Sequence, residues 1–193
     1  STEEKIIAAA RKVFTQKGYA ATRTRDIAEE AGINLALLNY YFRSKEKLFG
    51  QVMREKIQQL FGLLLPILDD STTLLDTKVE LIVSEYINMI TNNPDLPIFV
   101  LNELKGHTAA LKNVLPIDKI IPHASFFKQL TEARPDIHPL HFLLNILGMT
   151  VFPFIAMPAF DAIGIINKNN FTSLIQERKK LIPVWVKAML AVK

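Results

Sequence analysis

Thr22-Arg23-Thr24-Arg25-Asp26-Ile27-Ala28-Glu29-Glu30-Ala31-Gly32-Ile33-Asn34-Leu35-Ala36-Leu37-Leu38-Asn39-Tyr40-Tyr41-Phe42 reads as two short helices joined at a glycine. Each small or apolar position in it has a steric reason. Ile27, Ala28 and Ala31 recur at helical spacing and share one face. Ala28 has to be small because the second helix crosses close above it. Gly32 stands where the chain turns with φ > 0, a conformation glycine adopts without steric cost. Ile33 plugs the corner, while Leu38 and Phe42 point back into the core. Thr24 and Asn34 are expected to cap the two helices through their side-chain oxygens. Alanine, glycine four residues on and an apolar residue six further on is a demanding pattern. It is the plan of a helix-turn-helix that reads DNA.

Work outward from that unit gives a helical chain throughout. Residues 3–17 carry Ile6, Ile7, Ala10, Val13 and Phe14 on one face, and Gly18 is expected to end that helix. Ser44 caps a long helix with a stripe of Leu48, Val52, Ile57, Leu60, Phe61 and Leu64, which Pro66 kinks or ends. A stripe of Leu74, Leu75, Val79, Ile82, Val83, Tyr86 and Ile90 predicts a helix over 73–91, stopped by Asn92-Asn93-Pro94. Further helices are expected over about 96–105, 116–133, 136–160 and 171–191. The fold class is all-α: a three-helix DNA-binding domain over 1–47, and a larger helical domain over 48–193.

Composition narrows the function classes. The chain has 193 residues, 49% of them apolar, enough for a sizeable core, and no cysteine, which excludes a disulfide scaffold or a thiolate site. Net charge is +4, and residues 1–50 hold nine Lys/Arg against six Asp/Glu, so most of the excess lies beside the helix-turn-helix. Lys5, Arg11 and Lys12 are expected to be solvated charges. The sequence starts Ser-Thr-Glu-Glu, as if trimmed, and no basic-then-apolar leader opens it, so a cytoplasmic protein is expected. Phe142 to Phe160 is a stretch of nineteen uncharged residues, long enough to be weighed as a membrane span. Pro153, Pro158, Gly148, Asn145 and Thr150 argue against that, and a buried helix in a soluble assembly fits better.

The residues Ile6-Ile7-Ala8-Ala9-Ala10, Phe14, Gly18-Tyr19, Thr22, Arg25-Asp26-Ile27-Ala28, Ala31-Gly32-Ile33, Leu38, Tyr40-Tyr41-Phe42 and Ser44-Lys45-Glu46-Lys47-Leu48-Phe49 resemble the tetracycline-repressor (TetR) family of bacterial transcriptional regulators. Asn93-Pro94-Asp95-Leu96-Pro97 with Leu101, Glu103 and Leu104 looks like the middle of the family's ligand domains. The resemblance implies a homodimer with a helical carboxy-terminal ligand domain, repressing until a small molecule binds. The sequence departs from the pattern in its recognition helix. Leu35, Ala36 and Leu37 stand where polar residues or glycine are frequent, and Asn39 replaces the first aromatic of the usual pair.

The recognition helix, about 35–41, is expected in the major groove of a palindromic operator. Arg25 can fork onto guanine and Asn39 can pair with adenine. Leu35, Ala36 and Leu37 offer apolar contact to thymine methyls. Thr24, Tyr40 and Lys45 suit phosphate contacts, with Tyr41 divided between phosphate and packing.

A small hydrophobic or aromatic effector is expected between Met89, Phe99, Asn102, Glu103, His123, Phe126, Phe127, Asn145, Met149, Phe152 and Phe154. For any one of these side chains taken singly, core packing is the better reading. The last two helices, with Leu174, Leu181, Ile182, Val184, Trp185, Ala188 and Met189, suggest a dimer face that pairs into a four-helix bundle. His138 and His141 could ligate a metal. Pro139 intervenes and no carboxylate stands beside both, so a capping or surface role is expected instead. No nucleotide-binding glycine loop or serine nucleophile motif occurs, so neither a cofactor nor catalysis is expected. A membrane-associated regulator and a helical metal-dependent enzyme are the alternatives.

Overall fold

The computed structural model describes residues 1–106 and 123–192, and the side chains of 103–106 stand outside that description. The described residues form helices α1 (Thr2–Ala21), α2 (Thr24–Ala31), α3 (Leu35–Tyr41), α4 (Lys45–Asp69), α5 (Leu75–Asn92), α6 (Leu96–Gly106), α7 (Ser125–Ala133), α8 (Leu140–Ala162) and α9 (Lys168–Ala191). The recognition helix has the bounds its sequence predicts. Of the helix expected over 116–133, residues 116–122 lie outside the described residues, and the part that is described begins only at Ser125, because Ala124 is extended and starts a new helix there.

Local chemistry sets most of the ends. Asn34 Oδ1 accepts from the Leu37 N–H at 2.8 Å and Ser44 Oγ from the Lys47 N–H at 3.2 Å, so both expected caps are present. Thr24 does not cap α2. It is already helical, and Asp26 reaches back instead, its Oδ2 accepting from the Arg23 N–H at 2.9 Å. A carboxylate three residues into the helix satisfies that donor and also meets the positive end of the dipole. Gly32 closes α2 in the left-handed region at φ 65°.

Two apolar cores share one beam. The first joins Ile6, Ala10, Val13 and Phe14 of α1 to Ile27, Ala28, Leu38 and Phe42, and takes Leu48, Val52, Met53 and Ile57 from α4 and Leu96 from α6. The second joins Leu60 and Leu64 of α4 to Val79, Val83 and Ile87 of α5, Phe126, Phe127 and Leu130 of α7, Phe142 and Ile146 of α8, and Ile175, Ile182 and Val186 of α9. Helix α4 therefore runs through both, and Met89 packs against each. Leu74, expected in the α5 stripe, is instead 73% exposed because it precedes the helix and caps nothing. Lys78 is buried in its place, its Nζ 3.4 Å from the Leu68 carbonyl at the negative end of α4.

Helix α8 has a break in its hydrogen-bond ladder that a distant residue closes. Pro153 has no N–H to give Met149 four residues earlier. The Arg178 guanidinium of α9 supplies that carbonyl from Nη2 at 2.9 Å and Nε at 3.2 Å, while lying 5.2 Å from the Trp185 ring. Arg178→Ala is expected to lower stability by about 1–3 kcal/mol, the cost of a part-buried acceptor left without a donor. Urea unfolding checks this, because in a Pro153→Ala background residue 153 regains its N–H and the same replacement should cost about 1 kcal/mol less.

Candidate nucleic-acid interface

The amino-terminal head presents α3 outward. Leu38 is 1% exposed and anchors the helix, whereas Tyr40 is 79% exposed and Ala36, Leu37, Asn39 and Tyr41 are all on the surface. Leu35 is half-buried, so of the three apolar residues expected at the groove it is the one turned partly inward. Arg25 is exposed at the start of α2, and Thr24 beside it is half-buried. The Tyr40 and Tyr41 rings meet edge to face at 5.4 Å, which holds both against the end of the helix.

The charges around this face sort themselves. Arg11 pairs with Glu55, Lys12 with Glu30 and Lys17 with Asp26. Arg11 and Lys12 keep much of the solvent exposure their sequence suggests and also pair α1 with α4 and α2 at the surface. Arg23, Arg25, Arg43 and Lys47 are exposed and make no ion pair with a described residue. These four flank α2 and α3, where a phosphate backbone would run, while Lys5 is exposed on α1 away from them.

Lys45 has a second task that its sequence position does not reveal. Its Nζ donates to the carbonyls of Tyr19 at 3.0 Å and Thr22 at 3.1 Å, and sits 4.1 Å above the Tyr19 ring. An ammonium has three N–H groups, so one is left for a phosphate.

Tyr19 is the hub of this junction. Gly18 breaks α1 at φ 75° and ψ 169°, a region essentially reserved for glycine. The break frees the Tyr19 N–H, which donates to Asp95 Oδ2 at 2.8 Å, a residue just ahead of α6. Thr22 Oγ1 donates to the Gly18 carbonyl at 2.7 Å, and the Tyr19 hydroxyl donates to Glu46 Oε1 at 2.9 Å. Desolvation, and secondarily the Glu46 carboxylate, pushes the Tyr19 phenol above its ordinary range. Glu46 is held below the usual carboxylate range by its own backbone N–H and by the Tyr19 hydroxyl. Neither Tyr19 nor Asp95 is singled out as functional by spacing, since the two are 76 residues apart.

The expected ligand pocket does not assemble as read. Asn102, His123, Asn145 and Phe152 are exposed, Phe152 by 61%. Phe126 and Phe127 are core side chains, packed edge to face at 5.4 Å. Met89, Phe99, Met149 and Phe154 are half-buried, with Phe99 packed on the first core and Phe154 on the second. Glu103 lies outside the residues whose side chains are described. A groove of about 650 Å³ runs instead along the outside of α5 and α9, lined by residues such as Asp76, Glu80, Lys179 and Lys187, none of them expected to meet an effector. Of the apolar candidates only Phe126 and Phe127 are fully core, and sequence periodicity does not separate burial from lining.

His138 caps rather than ligates, its Nδ1 accepting from the Leu140 N–H at 3.2 Å. Among the described residues no group of His, Cys, Asp or Glu is arranged to hold a metal ion.

The sequence pattern described as bacterial regulatory proteins of the tetR family matches residues 6–52. Residues 6–52 therefore carry the amino-terminal pattern of that family. It is 34% identical over 86 residues to the HTH-type transcriptional repressor KstR2 of Mycolicibacterium smegmatis, a stretch covering 45% of this chain and 42% of that relative's length. In fold it is similar to a TetR-like transcriptional regulator from Rhodococcus sp. RHA1, 18% identical with a TM-score of 0.60, over 100% of this chain and 97% of that one. It is also similar to AibR, solved in complex with isovaleryl coenzyme A and operator DNA, 17% identical with a TM-score of 0.54, over 80% of this chain and 86% of that one. The family likeness thus lies in the head, and the solved structures extend the likeness of fold through the rest of the chain.

Gly18→Ala is expected to cost about 1–3 kcal/mol, because an L side chain at that φ and ψ is strained wherever it points. The added Cβ would stand 3.5 Å from Asp95 Oδ2, an ordinary contact, so the loss is conformational. Thermal unfolding checks it, and Asp95→Asn, which keeps a carbonyl acceptor, should fall well short of the loss given by Asp95→Ala.

Proposed function

We propose that the protein is a homodimeric transcriptional regulator that represses from a palindromic operator and is released by a small hydrophobic effector. The observation that carries this reading is the recognition helix: Leu38 fixes it to the core while Ala36, Leu37, Asn39 and Tyr40 face solvent, flanked by the exposed Arg23, Arg25 and Arg43. Base contacts come from α3 and Arg25, and phosphate contacts from Thr24, Tyr40, Tyr41 and the remaining N–H of Lys45, with Asn34 holding the helix start.

Two connections suit transmission from the carboxy-terminal domain over 48–193 to the head over 1–47. Helix α4 is part of both cores, and Asp95 ahead of α6 grips the Tyr19 N–H of the head. An effector that binds one arrangement of α4 and α6 more tightly than the other shifts the separation of two heads by that difference in affinity. The solved complex of AibR with isovaleryl coenzyme A makes short acyl-coenzyme A thioesters the first effectors to try.

Dimerisation is supported by the apolar surface left on the last two helices. Leu140, Leu144, Phe152 and Phe160 of α8 and Leu174, Leu181, Val184 and Trp185 of α9 are all exposed. Ile182, expected on that face, is fully buried within the subunit, and Met189 is half-buried against the same core. Monomeric proteins rarely expose so continuous an apolar surface. Replacing Leu181 and Trp185 together with Lys should convert a dimer to a monomer in sedimentation while leaving the helical circular dichroism intact.

Selection of duplexes from a random pool tests the regulator reading. A palindromic site should emerge, with half-sites about one helical turn or a multiple apart. Arg25→Ala should relax preference at one base pair, at about 1–3 kcal/mol of discrimination, while Tyr40→Phe should weaken all duplexes alike. Titration of the bound duplex with acyl-coenzyme A thioesters of increasing chain length reads the effector, and failure of any duplex to enrich would refute the proposal.

A further inference from the structure

Helix α3, Leu35-Ala36-Leu37-Leu38-Asn39-Tyr40-Tyr41, contains no charged side chain. That constrains what it can read. In the major groove guanine is read through N7 and O6 by Arg or Lys, and cytosine through its N4 amine by Asp or Glu. None of those residue types is on this helix. Asn39 alone carries an amide, whose donor and acceptor match adenine N6 and N7. At the amino-terminal end, the end that enters among the base edges in this motif, stand Ala36 and Leu37, both exposed, Leu37 by 37%.

An exposed leucine beside an exposed alanine is ill suited to any hydrogen-bonding edge. Pressed against guanine it would strip water from N7 and O6 and return no donor. The one apolar group in the major groove is the C5 methyl of thymine. The local geometry favours a fixed contact. Leu38 is buried next to Leu37, Asn34 Oδ1 accepts from the Leu37 N–H at 2.8 Å, and the Phe42 N–H closes on the Leu38 carbonyl at 2.8 Å. The backbone carrying the patch is thus held at both ends.

We infer that Leu37, with Ala36 beside it, is a specificity-determining methyl reader, and that the centre of each operator half-site is an A·T tract whose thymine methyls pack on these two side chains. This deepens the DNA-binding reading and rests on it. Guanine recognition falls to residues outside α3, with Arg25 the exposed candidate at the edge of the tract.

Deoxyuridine tests this directly, because it keeps the pairing and the O4 acceptor of thymine and lacks only the methyl. With the full-length protein and a duplex obtained by selection, each thymine of a half-site is replaced singly by deoxyuridine and binding is followed by fluorescence anisotropy. At one or two positions the wild-type protein should lose about three- to fivefold in affinity, the fold-change of one buried methyl-sized group. Leu37→Ala, a change at the surface, should bind thymine and deoxyuridine duplexes more nearly equally at those positions. Full affinity after replacement of every thymine, or a selected half-site whose centre is G·C, would overturn the inference while leaving DNA binding in place. A protein that enriches no duplex brings down the underlying reading as well.

Discussion

Backbone groups that a helix cannot satisfy for itself decide how this molecule is held together. Gly18 interrupts α1 and Pro153 interrupts the ladder of α8, and each leaves a polar group that must be paired from elsewhere. Both partners come from distant parts of the chain. Asp95 takes the Tyr19 N–H and Lys45 takes the Tyr19 and Thr22 carbonyls; Arg178 takes the Met149 carbonyl. Arg134 does the same for α9, donating from Nη1 to the Met189 carbonyl in its last turn. These bonds are charge-assisted, and so stronger than neutral ones. Each therefore fixes a helix end or a helix break against another element, where apolar packing alone would permit sliding.

The consequence for the head is that its attachment is polar and directional. Apolar contact between α4 and the first core is continuous from Leu48 to Ile57, which makes α4 a stiff connection. The Asp95 contact adds a second point of attachment off the axis of that helix. A body packed along an axis and held at one point off that axis has its orientation fixed as well as its position. Rotation of α6 relative to α4 would then turn the head. The proposed release from DNA needs such a change of orientation, because two heads on one duplex must both keep their helices in the groove.

The head was legible in the sequence because its constraints are local. A small residue at 28, glycine at 32 and an apolar residue at 38 act within one pair of crossed helices, and the Asn34 and Ser44 caps act within one turn. The missed cap of α2 is of the same kind, since Asp26 does from inside the helix what Thr24 was expected to do from its start. The junction was not legible. Nothing near Tyr19 announces Asp95, and nothing in Lys45 distinguishes a phosphate contact from a clamp on two carbonyls. The lining of an effector pocket was less legible for a further reason: Phe126 and Phe127 fill the core at the same spacing with which they would line a cavity. Periodicity reports which face is inward, and it is silent on whether that inward space is filled.

The same limit applies to α8, and here the structure carries the question further. The helix is long and apolar enough to cross a membrane, yet only 17% of its most apolar window is buried within the subunit. Its apolar surface must be covered by lipid or by protein. Arg178 bears on the choice, because its guanidinium is bonded at the Pro153 break near the middle of α8. A spanning α8 would draw that cation to the depth of the hydrocarbon core, or else lose the bond and leave the Met149 carbonyl without a donor where no water can replace it. Helix α9 would have to follow, with Glu177, Lys179 and Lys180 next to Arg178 in its sequence. A second copy of the same two helices asks for neither. It offers Leu144, Phe152, Leu181 and Trp185 an equivalent apolar surface and leaves the Arg178 bond within each subunit, which is why dimerisation is the occupant proposed.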